Sequence, residues 1–160
     1  MALRYHNVYW LWLSLVVIVA DQVTKQLIAV HMHLFESIPI TGFLNLTYMH
    51  NTGAAFSIFT GAPRLLFVAL GLVVTIAIMV WMRRHSHDYK LTAIALSLIL
   101  GGALGNVIDR VTRGYVVDFI DLHAGHWHWP AFNLADSAIT LGAVLLILDA
   151  LFVRHRVPAD

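Results

Sequence analysis

Aspartate is the residue type in this chain with the greatest capacity for chemistry. Asp21, Asp109, Asp118 and Asp136 stand in or beside long apolar stretches, where an ionisable group is costly and by default marks a functional or pairing site. The chain has no cysteine, which removes disulfides, thiolate metal sites and cysteine nucleophiles together. It has no GxSxG, HExxH, P-loop or dinucleotide fingerprint, and no Ser/His arrangement beside the carboxylates to support covalent acyl transfer. Paired carboxylates remain. Two carboxyl groups held close together cannot both ionise easily, so one keeps a proton while the other acts as a base on water. Such a pair can hydrolyse an amide with neither metal nor cofactor.

A membrane bundle must position these groups. Of the 160 residues 59% are hydrophobic and 12% charged, whereas soluble domains carry about 45–50% and about 25%. A helix needs roughly 20 apolar residues to cross a hydrocarbon core of about 30 Å. Four segments are long enough, at 8–30, 65–82, 91–108 and 137–153, in one integral-membrane domain covering 1–160. Arg4 ahead of the apolar run 8–20 resembles the start of a signal peptide. That run continues into Asp21-Gln22-Val23-Thr24-Lys25 with no small-residue cleavage pattern, so a retained helix is expected. A net charge of +1, without a basic run interleaved with aromatics, gives no reason to expect a nucleic-acid partner.

Lys and Arg near span ends favour the cytoplasm. Arg4, the short link carrying Arg83, Arg84 and Lys90, and Arg154 with Arg156 therefore put both termini inside. The two long connections, 31–64 and 109–136, then face outward, with Arg64, Arg110 and Arg113 as exceptions to the charge bias. β-branched and aromatic residues within 38–50, and Val116-Val117-Asp118-Phe119-Ile120, read as short strands. They suggest a small sheet resting on the outer surface. Asp21 lies about 20 Å of helical rise beyond Val8, and Asp109 about 27 Å beyond Leu91. Asp136 stands at the outer end of the fourth span and Asp118 in the outer connection. All four converge on one layer.

Each polar feature also has a plainer reading. Asp21 and Lys25 are i,i+4 neighbours that could simply neutralise one another. Asn106, Asp109, Arg110 and Arg113 share one face of a helix end and could form a salt-bridged anchor. Asp136 could be an ordinary first-turn carboxylate favoured by the helix dipole. Asp149, at the opposite end of the fourth span, is read as pairing or snorkelling. Gly101 and Gly105 form a GxxxG that favours close helix packing. Gly61-Ala62-Pro63 is a hinge or a turn into the second span. His123, His126 and His128 match no zinc spacing, and Trp127 and Trp129 suit an interfacial belt. A proton relay would spread its charges through the bilayer, and a scaffold would tolerate alanine at the aspartates. The clustering at one layer favours a surface carboxylate site over the relay.

Five segments resemble the lipoprotein signal peptidases (signal peptidase II). They are Asp21-Gln22-Val23-Thr24-Lys25, Asn51-Thr52-Gly53-Ala54-Ala55-Phe56-Ser57, Gly105-Asn106-Val107-Ile108-Asp109-Arg110, Val116-Val117-Asp118-Phe119-Ile120 and Phe132-Asn133-Leu134-Ala135-Asp136-Ser137. They occur in the family's order across most of the chain. The resemblance implies a mainly α membrane fold, a four-transmembrane-helix bundle with a small extracytoplasmic β-rich cradle. It places Asp118 and Asp136 on the catalytic aspartates. Asp21, Lys25, Asn51, Gly53, Asn106, Asp109, Arg110, Asn133 and Ala135 fall on positions that line or brace the site.

It further implies an inner-membrane aspartic endopeptidase without metal or cofactor. Such an enzyme cleaves prolipoproteins just before a cysteine that already carries diacylglycerol. Its partners would be that lipid-modified substrate and membrane lipid, with the chain itself monomeric. One of Asp118 and Asp136 is expected to activate water while the other, protonated, donates to the carbonyl oxygen and then to the leaving amine. The helix N-terminus favours ionised Asp136, which makes Asp118 the expected acid.

Overall fold

The computed structural model describes residues 10–53, 63–84 and 90–153. Arg4, Ala54-Ala55-Phe56-Ser57, Gly61-Ala62, Arg154 and Arg156 lie outside them. Among the described residues, four helices are long and apolar enough to cross a membrane: α1 (Leu11–His31), α2 (Arg64–Arg84), α3 (Lys90–Thr112) and α4 (Leu134–Leu148). A π-helical turn, Asp149–Val153, extends α4. Two boundaries differ usefully from the hydropathy reading. α3 runs one further turn and so carries Asp109 and Arg110 within the helix. α4 begins at Leu134 because Asn133 and Asp136 form a reciprocal capping box, a local hydrogen-bond signal to which hydropathy is blind.

α3 is the hub. Of its apolar window 61% is buried, against 22%, 17% and 22% for α1, α2 and α4. Small residues permit this. A methyl at Gly101 would come within 2.7 Å of the Val17 side chain and 2.8 Å of the Ser14 carbonyl on α1, and one at Gly105 within 2.5 Å of Asp21. On the neighbouring face of α3, a methyl at Gly102 would overlap the Ala135 carbonyl of α4. The GxxxG thus serves the α1 contact, and Gly102 serves α4. Gly102→Ala should therefore push α4 outward and cost about 1–3 kcal/mol as overpacking. Thermal melting in detergent checks this, with Gly42→Ala as an unaffected control because nothing lies within 4 Å of its added carbon.

Outside the bundle lies one four-stranded antiparallel sheet in the order β1-β2-β3-β4. Its strands are β1 (Ser37–Thr41), β2 (Leu44–Asn51), β3 (Val116–Ala124) and β4 (Trp127–His128). β3 is longer than expected, and the His/Trp stretch turns back on it as a hairpin that pairs His123 with His128. Gly125 supplies the left-handed residue of that turn, at φ +61. β3 leaves α3 through Gly114, at φ +89, with the Arg113 and Gly114 N–H groups closing onto the Asp109 carbonyl. A cluster of Val117 and Phe119 with Tyr48 from β2, Ile28 from α1 and Met32 just beyond that helix seats the sheet on the bundle. Side chains at odd separations on a strand face opposite ways, so Asp118 points away from that cluster.

Candidate active site

The end of α4 nearest the sheet sets the site. As N-cap of α4, Asn133 accepts from the Asp136 N–H at 2.9 Å, and its own N–H donates to Asp136 Oδ2 at 3.4 Å. The plain reading of Asp136 as a first-turn helix carboxylate is thus correct in geometry, but it covers one oxygen only. Oδ1 accepts from Asn106 Nδ2 of α3 at 2.8 Å.

Asp118 is 3% exposed. Its Oδ1 accepts from Asn133 Nδ2 at 2.7 Å and its Oδ2 from Asn51 Nδ2 at 2.9 Å. Burial, together with the nearby charge of Asp136, pushes its carboxyl up to about 7, against the opposing pull of the Asn51 and Asn133 hydrogen bonds and the charge of Lys25.

The direction of each amide follows from its other partner. Asn51 Oδ1 accepts from the Gly53 N–H at 2.9 Å, Asn133 Oδ1 from the Asp136 N–H, and Asn106 Oδ1 from Lys25 Nζ at 2.9 Å. A backbone N–H and an ammonium can only donate. Each amide oxygen is therefore turned outward, and each NH₂ is turned onto one of the two carboxylates.

Lys25 is fully buried and spends its three N–H bonds on Asp21 at 2.9 Å, Asp109 at 3.0 Å and Asn106. Asp21 also accepts from the Ala135 N–H at 3.0 Å. Asp109 accepts from the Val117 N–H at 3.2 Å and from Arg113 at 3.2 Å. This triad ties α1 to the first turn of α4 and to the first strand residues after α3. The i,i+4 pairing expected for Asp21 and Lys25 exists, but Asp109 joins it across helices. Arg110 donates to the Gly53 carbonyl at 2.6 Å and lies over the Phe67 ring of α2 at 5.2 Å.

All eleven residues singled out in the sequence meet in this one network, Gly53 and Ala135 through their backbone groups. Gln22 belongs to it as well and was not anticipated. Its Nε2 lies 3.1–3.2 Å from Asp21, Asp109 and the Gly105 carbonyl; a polar residue next to Asp21 in an apolar run was the available signal. Asp149 stays apart, bonded to Thr92 at the opposite end of α3. The His/Trp hairpin builds its own pair, His128 Nδ1 to Asp121 at 2.8 Å with Asn45 donating to the same carboxylate at 2.9 Å. Burial raises the Asp121 carboxyl, but these hydrogen bonds outweigh it and leave the group below the usual range. Among the described residues, no three His, Asp or Glu side chains are grouped to hold a metal ion.

Asp136 opens onto a cavity of ≈ 520 Å³ lined by Trp129, Ala131, Phe132, Ser137, Ile139, Thr140, Leu141 and Val144. Its wall is mostly apolar and follows α4 into the membrane-spanning segment.

Known proteins are similar to this chain in sequence and in fold. The chain is similar to lipoprotein signal peptidases of Acinetobacter baumannii (strain SDF), 47% identical over 97% of this chain and 90% of that one, and of Photorhabdus laumondii, 48% over 88% and 86%. The protein of the same name from Burkholderia mallei is 52% identical over 89% and 87%. Two solved structures described as bacterial membrane enzymes superpose on it. One, at 2.3 Å, has a TM-score of 0.85 and 34% identity, covering 100% of this chain and 98% of that one. The other, at 1.9 Å, has 0.78 and 36%, covering 90% and 93%. The model of the family described as signal peptidase (SPase) II matches residues 13–152, which takes in all eleven residues singled out in the sequence. The chain therefore belongs to the signal peptidase II family.

Proposed function

We propose that this protein removes signal peptides from diacylglyceryl-modified prolipoproteins, cutting before the lipid-modified cysteine with Asp118 and Asp136 as an aspartic pair. One observation carries the reading: the carboxylates of buried Asp118 and half-buried Asp136, from different elements, both accept from Asn133, the first from its side-chain NH₂ and the second from its backbone N–H, and Asp136 borders an apolar cavity that runs along a membrane-spanning helix. A substrate anchored by its own apolar helix and acyl chains fits such a wall, and its scissile bond can reach the carboxylates without leaving the membrane surface.

Asp136, at the positive end of α4, takes a proton from water as the oxygen attacks the scissile carbonyl carbon. Asp118 gives its proton to the carbonyl oxygen. When the tetrahedral intermediate collapses, that proton returns to Asp118, and the one held on Asp136 passes to the leaving nitrogen. Water is consumed and both carboxyl groups end as they began. The chain works as a single domain and a monomer in the inner membrane, with both termini cytoplasmic and the site on the periplasmic side. The Lys/Arg bias of the span ends supports that orientation.

The test incubates purified protein with a diacylglyceryl-modified prolipoprotein and its unlipidated form, with and without chelator. Cleavage of the lipidated form alone, unchanged by chelator, is expected. Equal cleavage of both forms would remove the lipid requirement, and loss with chelator would remove the metal-free mechanism. The pH profile adds a sign. Asp118 acts as the protonated acid and its carboxyl is raised to about 7, so activity should fall as pH rises through about 7. Asp118 binds a proton in the folded state at pH values where the unfolded chain has lost it. Between about 4 and about 7, folding stability should therefore also decline as pH rises.

A further inference from the structure

Lys25 touches neither carboxylate of the pair, and all three of its N–H bonds are taken. One of them ends on Asn106 Oδ1, and the other end of that same amide donates to Asp136. An amide turned end over end has nearly the same shape but exchanges donor for acceptor. The ammonium opposes that exchange whatever the protonation state of Asp136, because it cannot accept a hydrogen bond, whereas Asp136 opposes it only while ionised. Asn106 Oδ1 has one other neighbour, Asn133 Nδ2, at a long 3.5 Å, and that group is already committed to Asp118 at 2.7 Å.

We propose that Lys25 is a positioning residue for the reaction: by fixing which end of Asn106 faces Asp136, it keeps Asp136 in the form that accepts a proton from water. This rests on the reading of Asp118 and Asp136 as the catalytic pair. With Lys25 gone, Asn106 is free to turn its oxygen to Asp136. Two oxygens then face each other, and the contact becomes favourable only if Asp136 carries a proton between them. A protonated Asp136 cannot act as the base.

The charged and titratable groups that bear on this contact are few. Asp21 from α1 and Asp109 from α3 hold Lys25 itself, Arg110 lies one turn along α3 from Asn106, and Asp118 approaches from β3. None of them donates to Asn106 Oδ1, so none can replace Lys25 as the lock.

Lys25→Met alone would strand Asp21 and Asp109 as buried carboxylates and could unfold the protein. The informative variant is the pair Asp21→Asn with Lys25→Met. Asn at 21 can still accept from the Ala135 N–H, and Asp109 keeps Arg113. In membranes or detergent, with folded protein measured separately, this variant should show kcat reduced by up to about tenfold on the acid side of its profile, with KM little changed. The acid limb of its pH–rate profile should move to higher pH by about one unit, the size expected for losing one hydrogen bond to a charged group. Lys25→Arg, which also cannot accept a hydrogen bond, should restore the limb towards its native position. A folded double variant with the native acid limb overturns the proposal and leaves Lys25 a purely structural cation. Asp118→Asn and Asp136→Asn serve as controls in the same assay. If either is active, the catalytic reading itself fails, an outcome distinct from an unshifted limb in a site whose pair is proven.

Discussion

Replacing Asp118 or Asp136 with asparagine should reduce prolipoprotein cleavage by about a thousandfold or more, the scale seen when one member of a concerted catalytic set is removed. The two variants should fail for different reasons. At position 136 the amide cannot take a proton from water. At position 118 it has no proton acidic enough to give, and it also meets two NH₂ groups whose direction is already set by the Gly53 and Asp136 backbone N–H groups. One donor must then face another donor. Both proteins should still insert and fold, because the bundle contacts lie elsewhere. Melting should also separate them from the parent. Asp118→Asn should lose much of the decline in stability between pH 4 and 7, since its raised carboxyl is the group whose titration produces it. Retained turnover in either variant at matched folded protein would end the aspartic mechanism.

The second large effect concerns folding rather than chemistry. Asp109→Asn should destabilise the protein by about 3–5 kcal/mol, the usual cost of removing one partner from a buried ion pair. Asp109 has no exposure, and its two oxygens receive Lys25, Arg113, Gln22 and the Val117 N–H. An amide offers one acceptor where the carboxylate offered two. It also presents an NH₂ to a cluster made almost wholly of donors. The loss should appear as a lowered melting temperature and as reduced accumulation in membranes. Activity per folded molecule should fall far less than in the dyad variants. A native-like melting temperature would show that the triad contributes little to holding α1 and β3 on α3.

Much of this was legible in the sequence, for identifiable reasons. Helical rise is fixed, so counting residues from the span ends placed Asp21, Asp109 and Asp136 at one depth before any packing was known. The i,i+4 relation of Asp21 and Lys25 is equally local. The link from Lys25 to Asp109 is not, because it depends on α1 and α3 closing tightly over Gly101 and Gly105, and a sequence shows small residues without showing which helix fills the space. The β4 strand escaped for a different reason. It has two residues, too few for alternation to register, and it exists because Gly125 turns β3 back on itself. Asn133 was assigned to the site by resemblance alone. Its double role as helix cap and as donor to Asp118 requires β3 and α4 to meet, which no periodicity reports.

Gly53 has both of its backbone groups engaged, the N–H by Asn51 and the carbonyl by Arg110. The main chain at this one residue is therefore a mechanical junction between β2, α3 and the connection that follows it. A shift of that peptide plane would take the Gly53 N–H away from Asn51 Oδ1, the contact that helps set which end of that amide faces Asp118. Displacement of the backbone is converted there into a change of polarity at a carboxylate, with no side chain along the way having to gain or lose a proton.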